Sequence, residues 1–287
     1  MRTIEWKDGT VTTIDQTKLP HRTVFLKIKN CSEMASAIHD MKLRGAPLIG
    51  VATAYGLALT AYHSTAQTKD SLIKELEESA KVLRGTRPTA VNLFWAADRI
   101  LKKARETFGD AKTVARKVVE EAQLMADEDV EVNRKIGKYG SELINNRDFI
   151  LTHCNAGSLA TVDYGTALAV VRTAWEQGKK IKVIATETRP KMQGASLTVY
   201  ELKRDGIPVT LITDSMVGYV MSKKLVNKVI VGADRIVRDA VINKIGTYTI
   251  AVLAHKHKIP FYVAAPTSTF DLAHESKDII IEERNPK

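Results

Sequence analysis

Apolar and polar positions alternate differently in three parts of the chain. Short alternating runs at 3–6, 11–14 and 23–26 predict strands near the start. From 32 to 144 the period becomes helical, as at Met34, Ile38 and Met41, at Leu72, Leu76 and Leu83, and at Val114, Val118, Val119, Ala122 and Met125. Gly45-Ala46-Pro47 and Gly85-Thr86-Arg87-Pro88 punctuate these helices, because Gly ends a helix readily and Pro suits the first turn of the next. From Phe149 onward, short apolar runs at 149–152, 181–185, 209–212, 228–231 and 261–264 predict strands, and segments at 162–176, 194–204, 215–223 and 246–257 between them predict helices. Such alternation implies right-handed crossovers and a parallel sheet covered on both faces. The expected fold class is α/β, with a mainly helical N-terminal domain that carries a small β element over 1–145 and a parallel-sheet domain over 146–287. The boundary falls near Asn145-Asn146-Arg147.

Composition narrows the function. The chain has 287 residues, 44% hydrophobic and 26% charged, enough to bury a full core. Its net charge of +10 would suit nucleic acid or an acidic metabolite. The cations are interspersed with acids, as in Lys102-Lys103-Ala104-Arg105-Glu106, and this argues against a nucleic-acid partner. Phosphate recognition needs only two or three of them. The two cysteines, Cys31 and Cys154, have no metal-binding or disulfide spacing, which points to a reducing, cytoplasmic setting. The N-terminus lacks an apolar signal core and no apolar run is long enough for a bilayer, so no membrane role is expected. His255 and His257 diverge by about 200° on a helix and do not form a metal pair. Gly-x-Gly-x-x-Gly, P-loop, His-Glu-x-x-His and Gly-x-Ser-x-Gly patterns are all missing, which removes support for dinucleotide, nucleoside-triphosphate and zinc-protease chemistry.

Ligands of open parallel sheets bind beyond the carboxyl ends of the strands. Here those ends read Thr152-His153-Cys154-Asn155-Ala156-Gly157, Thr186-Glu187-Thr188-Arg189-Pro190, Thr213-Asp214-Ser215 and Gly232-Ala233-Asp234-Arg235. Cys154 precedes a Gly-containing turn and an expected helix start, a setting that lowers a thiol pKa. Asp234 follows an apolar run, so its carboxyl is expected to be partly desolvated and suited to proton transfer. Moving a sugar carbonyl between C1 and C2 requires one group for a carbon-bound hydrogen and another for a hydroxyl proton. A thiol and a carboxylic acid can divide that work. Arg44-Gly45-Ala46, Arg87 and Lys244 offer cations in or beside tight turns for phosphate.

Several motifs occur together in one order: Leu43-Arg44-Gly45-Ala46-Pro47, Arg87-Pro88-Thr89-Ala90-Val91-Asn92, Thr152-His153-Cys154-Asn155-Ala156-Gly157, Gln193-Gly194-Ala195, Gly232-Ala233-Asp234-Arg235 and Asn243-Lys244-Ile245-Gly246. With them the chain resembles the methylthioribose-1-phosphate isomerase family, in the superfamily that also holds the regulatory alpha, beta and delta subunits of eukaryotic initiation factor 2B. The resemblance implies a Rossmann-like C-terminal domain, a homodimer, methionine salvage, and no metal or cofactor. It implies that Cys154 partners the transition state, that Asp234 donates a proton, and that Arg44, Gly45, Ala46, Arg87, Gln193, Asn243 and Lys244 bind the sugar phosphate. Thr186 stands where many members have Asp, and Arg238-Asp239-Ala240-Val241-Ile242 replaces the commoner Asn-Gly-Asp-Val-Ala run. The second departure resembles ribose-1,5-bisphosphate isomerase, so that activity stays open as an alternative, as does a non-catalytic subunit like those of initiation factor 2B. Members usually continue past the position of Lys287, so the resemblance leads us to expect a C-terminal domain that lacks its usual end.

Overall fold

The structure, a computed structural model, describes residues 2–87 and 90–281. Pro88 and Thr89 of the Arg87 motif and the chain end at 285–287 lie outside them. Strands β1 (Ile4–Lys7), β2 (Thr10–Ile14) and β3 (Phe25–Ile28) form an antiparallel sheet in that order. β3 lies two residues later than the apolar run suggested, because pairing with β2 sets its register at Ile14 opposite Phe25. Helices α1 (Cys31–His39), α2 (Ala46–His63), α3 (Lys69–Thr86), α4 (Val91–Glu106) and α5 (Ala111–Ser141) follow.

Apolar residues go all round α2, so it must be enclosed. It is the hub of this half, buried from Leu48 to Leu59 and packed against α1, α3, α4 and α5. At its crossing with α4 the helices approach closely, and a Cβ on Gly50 would lie 3.1 Å from the Asn92 carbonyl. The 31 residues of α5 run for about 46 Å. The first part of α5 completes the helical core, and its last turns pack on the sheet domain, with a Cβ at Gly137 reaching 2.9 Å from the Ala169 carbonyl.

The second half contains β4 (Phe149–Thr152), α6 (Ala167–Glu176), β5 (Lys182–Thr186), α7 (Val199–Arg204), β6 (Val209–Ile212), α8 (Val217–Ser222), β7 (Lys228–Val231), a small hairpin β8 (Arg235–Ile236) and β9 (Val241–Ile242), α9 (Thr247–Lys256) and β10 (Phe261–Val263). Five of these strands form a parallel sheet in the order β10-β7-β4-β5-β6. Ile150, Val183 and Ile230 pack toward α6 and α7 on one face, and Leu151, Ile184, Val229 and Val231 toward α8 and α9 on the other. The expected α/β class is the one observed. A fourth, small cluster, Ile14, Leu19, Leu159 and Leu197, joins the N-terminal sheet to the loops above the parallel one. No helix among the described residues is long and apolar enough to cross a membrane.

Two expectations need correction. The segment from 162 does not start as helix: Tyr164 and Gly165 both have positive φ, and α6 begins only at Ala167. Val162 is apolar because it is buried in the helical core, and its backbone bonds Thr3 and Asp129. The segment at 194–204 opens with a π turn over Gly194–Thr198 before α7, where a side chain on Gly194 would collide with the Thr186 carbonyl.

Candidate active site

The winding of the parallel sheet reverses between β4 and β7, and loops leaving such a switch point diverge to form a crevice. Cys154 lies just past β4 and Asp234 just past β7. Leu151 pairs with Val229, which puts Cys154 level with Gly232. The two loops touch, since a Cβ on Gly232 would come to 2.8 Å from Ala156 Cβ.

Cys154 has a φ of 62°, a left-handed conformation that a non-glycine residue adopts only with support from its surroundings. Its N–H donates to Thr188 Oγ1 at 2.9 Å and its carbonyl accepts from Thr198 Oγ1 at 2.6 Å. Thr188, itself at positive φ, is fixed by Asp214, whose carboxylate accepts the N–H groups of Thr188 and Arg189 at 2.8 and 2.7 Å. Cys154 as a residue is half-buried. Burial pushes its thiol above the ordinary value, Arg44 and Lys244 pull it down, and Asp234 pushes it up. The expected lowering by a helix dipole is therefore overturned. The turn after Cys154 leads into a 3₁₀ segment at Ser158–Ala160, not into α6, and desolvation dominates.

Beneath this loop lies a buried carboxylate. Glu201 is 1% exposed and accepts from Ser158 N–H and Oγ–H at 2.7 Å each, Leu159 N–H at 3.1 Å and Asn155 Nδ2 at 2.8 Å. Arg172 Nη2 completes its shell at 2.7 Å. Burial alone would raise the Glu201 pKa, but the Arg172 charge and these hydrogen bonds hold it below the ordinary value. A side chain on Gly157 would occupy the carboxylate's place, so glycine is required there.

Arg44 approaches from the helical half, at the start of α2. It is 7% exposed and donates to Gln16 Oε1 at 3.2 Å, to the Asn155 carbonyl at 3.1 Å and to Asn155 Oδ1. Gly45, at φ 104°, packs against the Ala160 backbone and leaves Ala46 to open the helix, whose first N–H groups form a natural anion site. Lys244 follows β9 and is half-buried, and Asn243 Nδ2 bonds Thr247 Oγ1 at 3.0 Å. Arg44, Lys244 and Asp234 all act electrostatically on the Cys154 thiol. Gln193 is buried, and its Oε1 has no hydrogen-bond partner among the described residues. Arg87 enters separately as the C-cap of α3. Asp234 is exposed, against the expectation of a partly desolvated carboxyl, because the hairpin β8–β9 carries the chain outward from its backbone.

Three supporting groups carried no assigned role in the sequence. His153 is 2% exposed, with Nδ1 2.6 Å from Thr186 Oγ1 and Nε2 2.8 Å from the Ile245 carbonyl. A carbonyl can only accept, so Nε2 bears the proton and Nδ1 accepts from the Thr186 hydroxyl. Burial holds the ring below its ordinary pKa, with Lys244 acting the same way and Ile245 and Asp214 opposing, so it is neutral. Glu201 and Arg172 could have been found by their spacing. Each falls on the apolar stripe of its helix, Glu201 with Leu197 and Arg172 with Leu168 and Val171, where an unpaired charge is not tolerated.

The profile of the Initiation factor 2 subunit family matches residues 42–287. A methylthioribose-1-phosphate isomerase of Thermosipho africanus is 53% identical over 284 residues, covering 98% of this chain and 82% of that protein. Among solved structures, 5-methylthioribose 1-phosphate isomerase from Pyrococcus horikoshii superposes with a TM-score of 0.92 at 47% identity, covering 99% of this chain and 81% of that one. A protein of A. fulgidus described as the delta subunit of the translation initiation factor eIF-2B superposes with a TM-score of 0.88 at 55% identity, covering 99% and 83%.

Proposed function

The chain belongs to the Initiation factor 2 subunit family, and from that premise we propose that it is an aldose–ketose isomerase acting on 5-methylthioribose 1-phosphate. The product is 5-methylthioribulose 1-phosphate and the setting is methionine salvage. The observation that supports this reading is that β4 and β7, which carry Cys154 and Asp234 just past their ends, flank the switch point, with Arg44 bonded to the loop of Cys154.

The phosphate is bound by the open N-terminus of α2 with Arg44, Gly45 and Ala46, and by Arg87 and Lys244. Gln193 and Asn243 hold sugar hydroxyls. A phosphate on the anomeric oxygen blocks the spontaneous ring opening of a free aldose, so an acid must protonate the ring oxygen as its bond to C1 breaks. Asp234 is that donor, and a sugar phosphate seated between the strand ends would cover it. Cys154, uncharged at neutral pH, lies beside the C1–C2 bond and stabilises the transfer of hydrogen from C2 to C1. The C2 hydroxyl proton passes back to Asp234 as C2 becomes the carbonyl, which restores the acid and leaves the atom count unchanged.

Incubating the protein with methylthioribose 1-phosphate and following the ketose tests the reading. Cys154→Ser and Asp234→Asn should each lower turnover by roughly 10²-fold with the fold intact, the usual size of a general acid–base contribution. Wild-type turnover in either variant would remove the assignment. Preference for ribose 1,5-bisphosphate in the same assay would move the substrate to the related bisphosphate. The A. fulgidus likeness supports a second reading, a non-catalytic subunit that contacts translation factors. Capture of such a factor with no turnover of either sugar phosphate would favour it.

The isomerase reading carries with it a homodimer in the cytoplasm. Tyr248 and Val252 on α9 and Ile245 just before it, 82%, 49% and 76% exposed, support a self-association face. A sedimentation mass of one chain would contradict it.

A further inference from the structure

We propose that His153 is a positioning residue that ties the loop at 243–246 to the tip of β4 and so keeps Lys244 facing Cys154. The inference rests on the isomerase reading for the meaning of the site, while its test does not depend on turnover. Lysine is a point charge on a flexible stem, so where it acts depends on the backbone that carries it. Within one chain that backbone gains little from packing, since Ile245 is 76% exposed and the neighbouring Tyr248 82%. Other hydrogen bonds of this segment are local: Thr247 N–H and Oγ1–H to the Lys244 carbonyl at 3.1 and 2.7 Å, and Asn243 Nδ2 to Thr247 Oγ1. The bond that crosses to β4 is His153 Nε2–H to the Ile245 carbonyl at 2.8 Å.

The other half of the ring is equally constrained. Nδ1 accepts from Thr186 at the end of β5 at 2.6 Å, so the imidazole bridges β4, β5 and the loop after β9. Gly246 lies flat on the ring, with φ 101° and a Cβ position 3.0 Å from His153 Cε1 and Nε2. With both nitrogens engaged and the ring sealed, His153 has no free site from which to exchange a proton with a ligand. Its remaining contribution is geometric. It adjoins Cys154 in sequence, and the charges that face the two residues are Arg44, Lys244 and Asp234 for the thiol, and Asp214 and Lys244 for the ring.

The test is the pH dependence of Cys154 alkylation by iodoacetamide in the full chain, with Cys31→Ser removing the other thiol. Lys244→Met should slow alkylation at neutral pH about tenfold, the result of about one unit of thiol pKa. His153→Leu should slow it to a similar extent, and the double variant should be no slower than either single one, because both act through the same charge. His153→Gln, which keeps a donor and an acceptor, should restore the rate to within about twofold of the parent. Gly246→Ala should reproduce the His153→Leu effect and carries the test if that variant does not fold. Parental rates in both His153→Leu and Gly246→Ala, or a double variant slowed by the product of the single effects, would overturn the proposal. A chain with the expected alkylation pattern and no sugar-phosphate turnover would sink the isomerase reading and leave this one standing.

Discussion

The Cys154 thiol is held above its ordinary pKa because enclosure outweighs the pull of Arg44 and Lys244. Asp234 also pushes that pKa upward, so Asp234→Asn should make the thiol more reactive toward alkylation at neutral pH while reducing turnover. The opposite signs separate a catalytic loss from a collapsed site, and a fall in both would argue for collapse. Asp129 on α5 gives a second prediction. Burial pushes its carboxyl up to about 7, against hydrogen bonds from Val162 N–H and Asn133 Nδ2, with the Asp163 charge adding to the rise. Its folded pKa thus exceeds its unfolded one. The stability this proton gives is full below the ordinary Asp range and is lost as pH rises through about 7. Asp129→Asn should flatten the decline in urea midpoint between about pH 5 and pH 8, and an unchanged decline would contradict the assignment. That Cys154 and Asp234 stand just past strand ends was legible in the sequence. Their surroundings were not, because the exposure of Asp234 and the enclosure of Cys154 depend on loops whose paths no local pattern encodes.

At the scale of elements, the loop after β4 stands on the α6–α7 pair through Glu201 and Arg172. Removing the Glu201 charge leaves Arg172 with Asp205 as its remaining carboxylate at 2.7 Å, so Glu201→Gln should cost about 3 kcal/mol in urea unfolding, the low end for a broken buried pair. Adding Arg172→Met should recover part of that loss, and a purely additive double variant would mean the two charges are not coupled. The sequence read β4 and β7 with their observed bounds because strands enclosed on both faces appear as mainly apolar runs, and β6, an edge strand with Thr210 and Leu211 exposed, was bounded by the turn residues around it. It misplaced the start of α6 because Val162 earns its apolar character from packing, not from a helical face. The β8–β9 hairpin, two residues per strand, is too short for any period to show.

For the molecule as a whole, α5 and the Ile14–Leu19–Leu159–Leu197 cluster join the helical half to the sheet half. The reading of two domains divided near residue 145 follows the change in apolar period, but α5 packs into both cores and ties them energetically. We expect one cooperative urea transition. Fluorescence of a variant that keeps Trp175 alone should follow the same curve as far-UV circular dichroism, and two separated midpoints would disprove the coupling. The order of the central sheet has a further consequence for how the chain comes into being. A nascent polypeptide extruded only as far as Ile212 already owns β4, β5 and β6 and the thiol, yet the slot beside β4 still waits for β7. On the proposed isomerase reading, the site is complete only after this late-made strand inserts against β4.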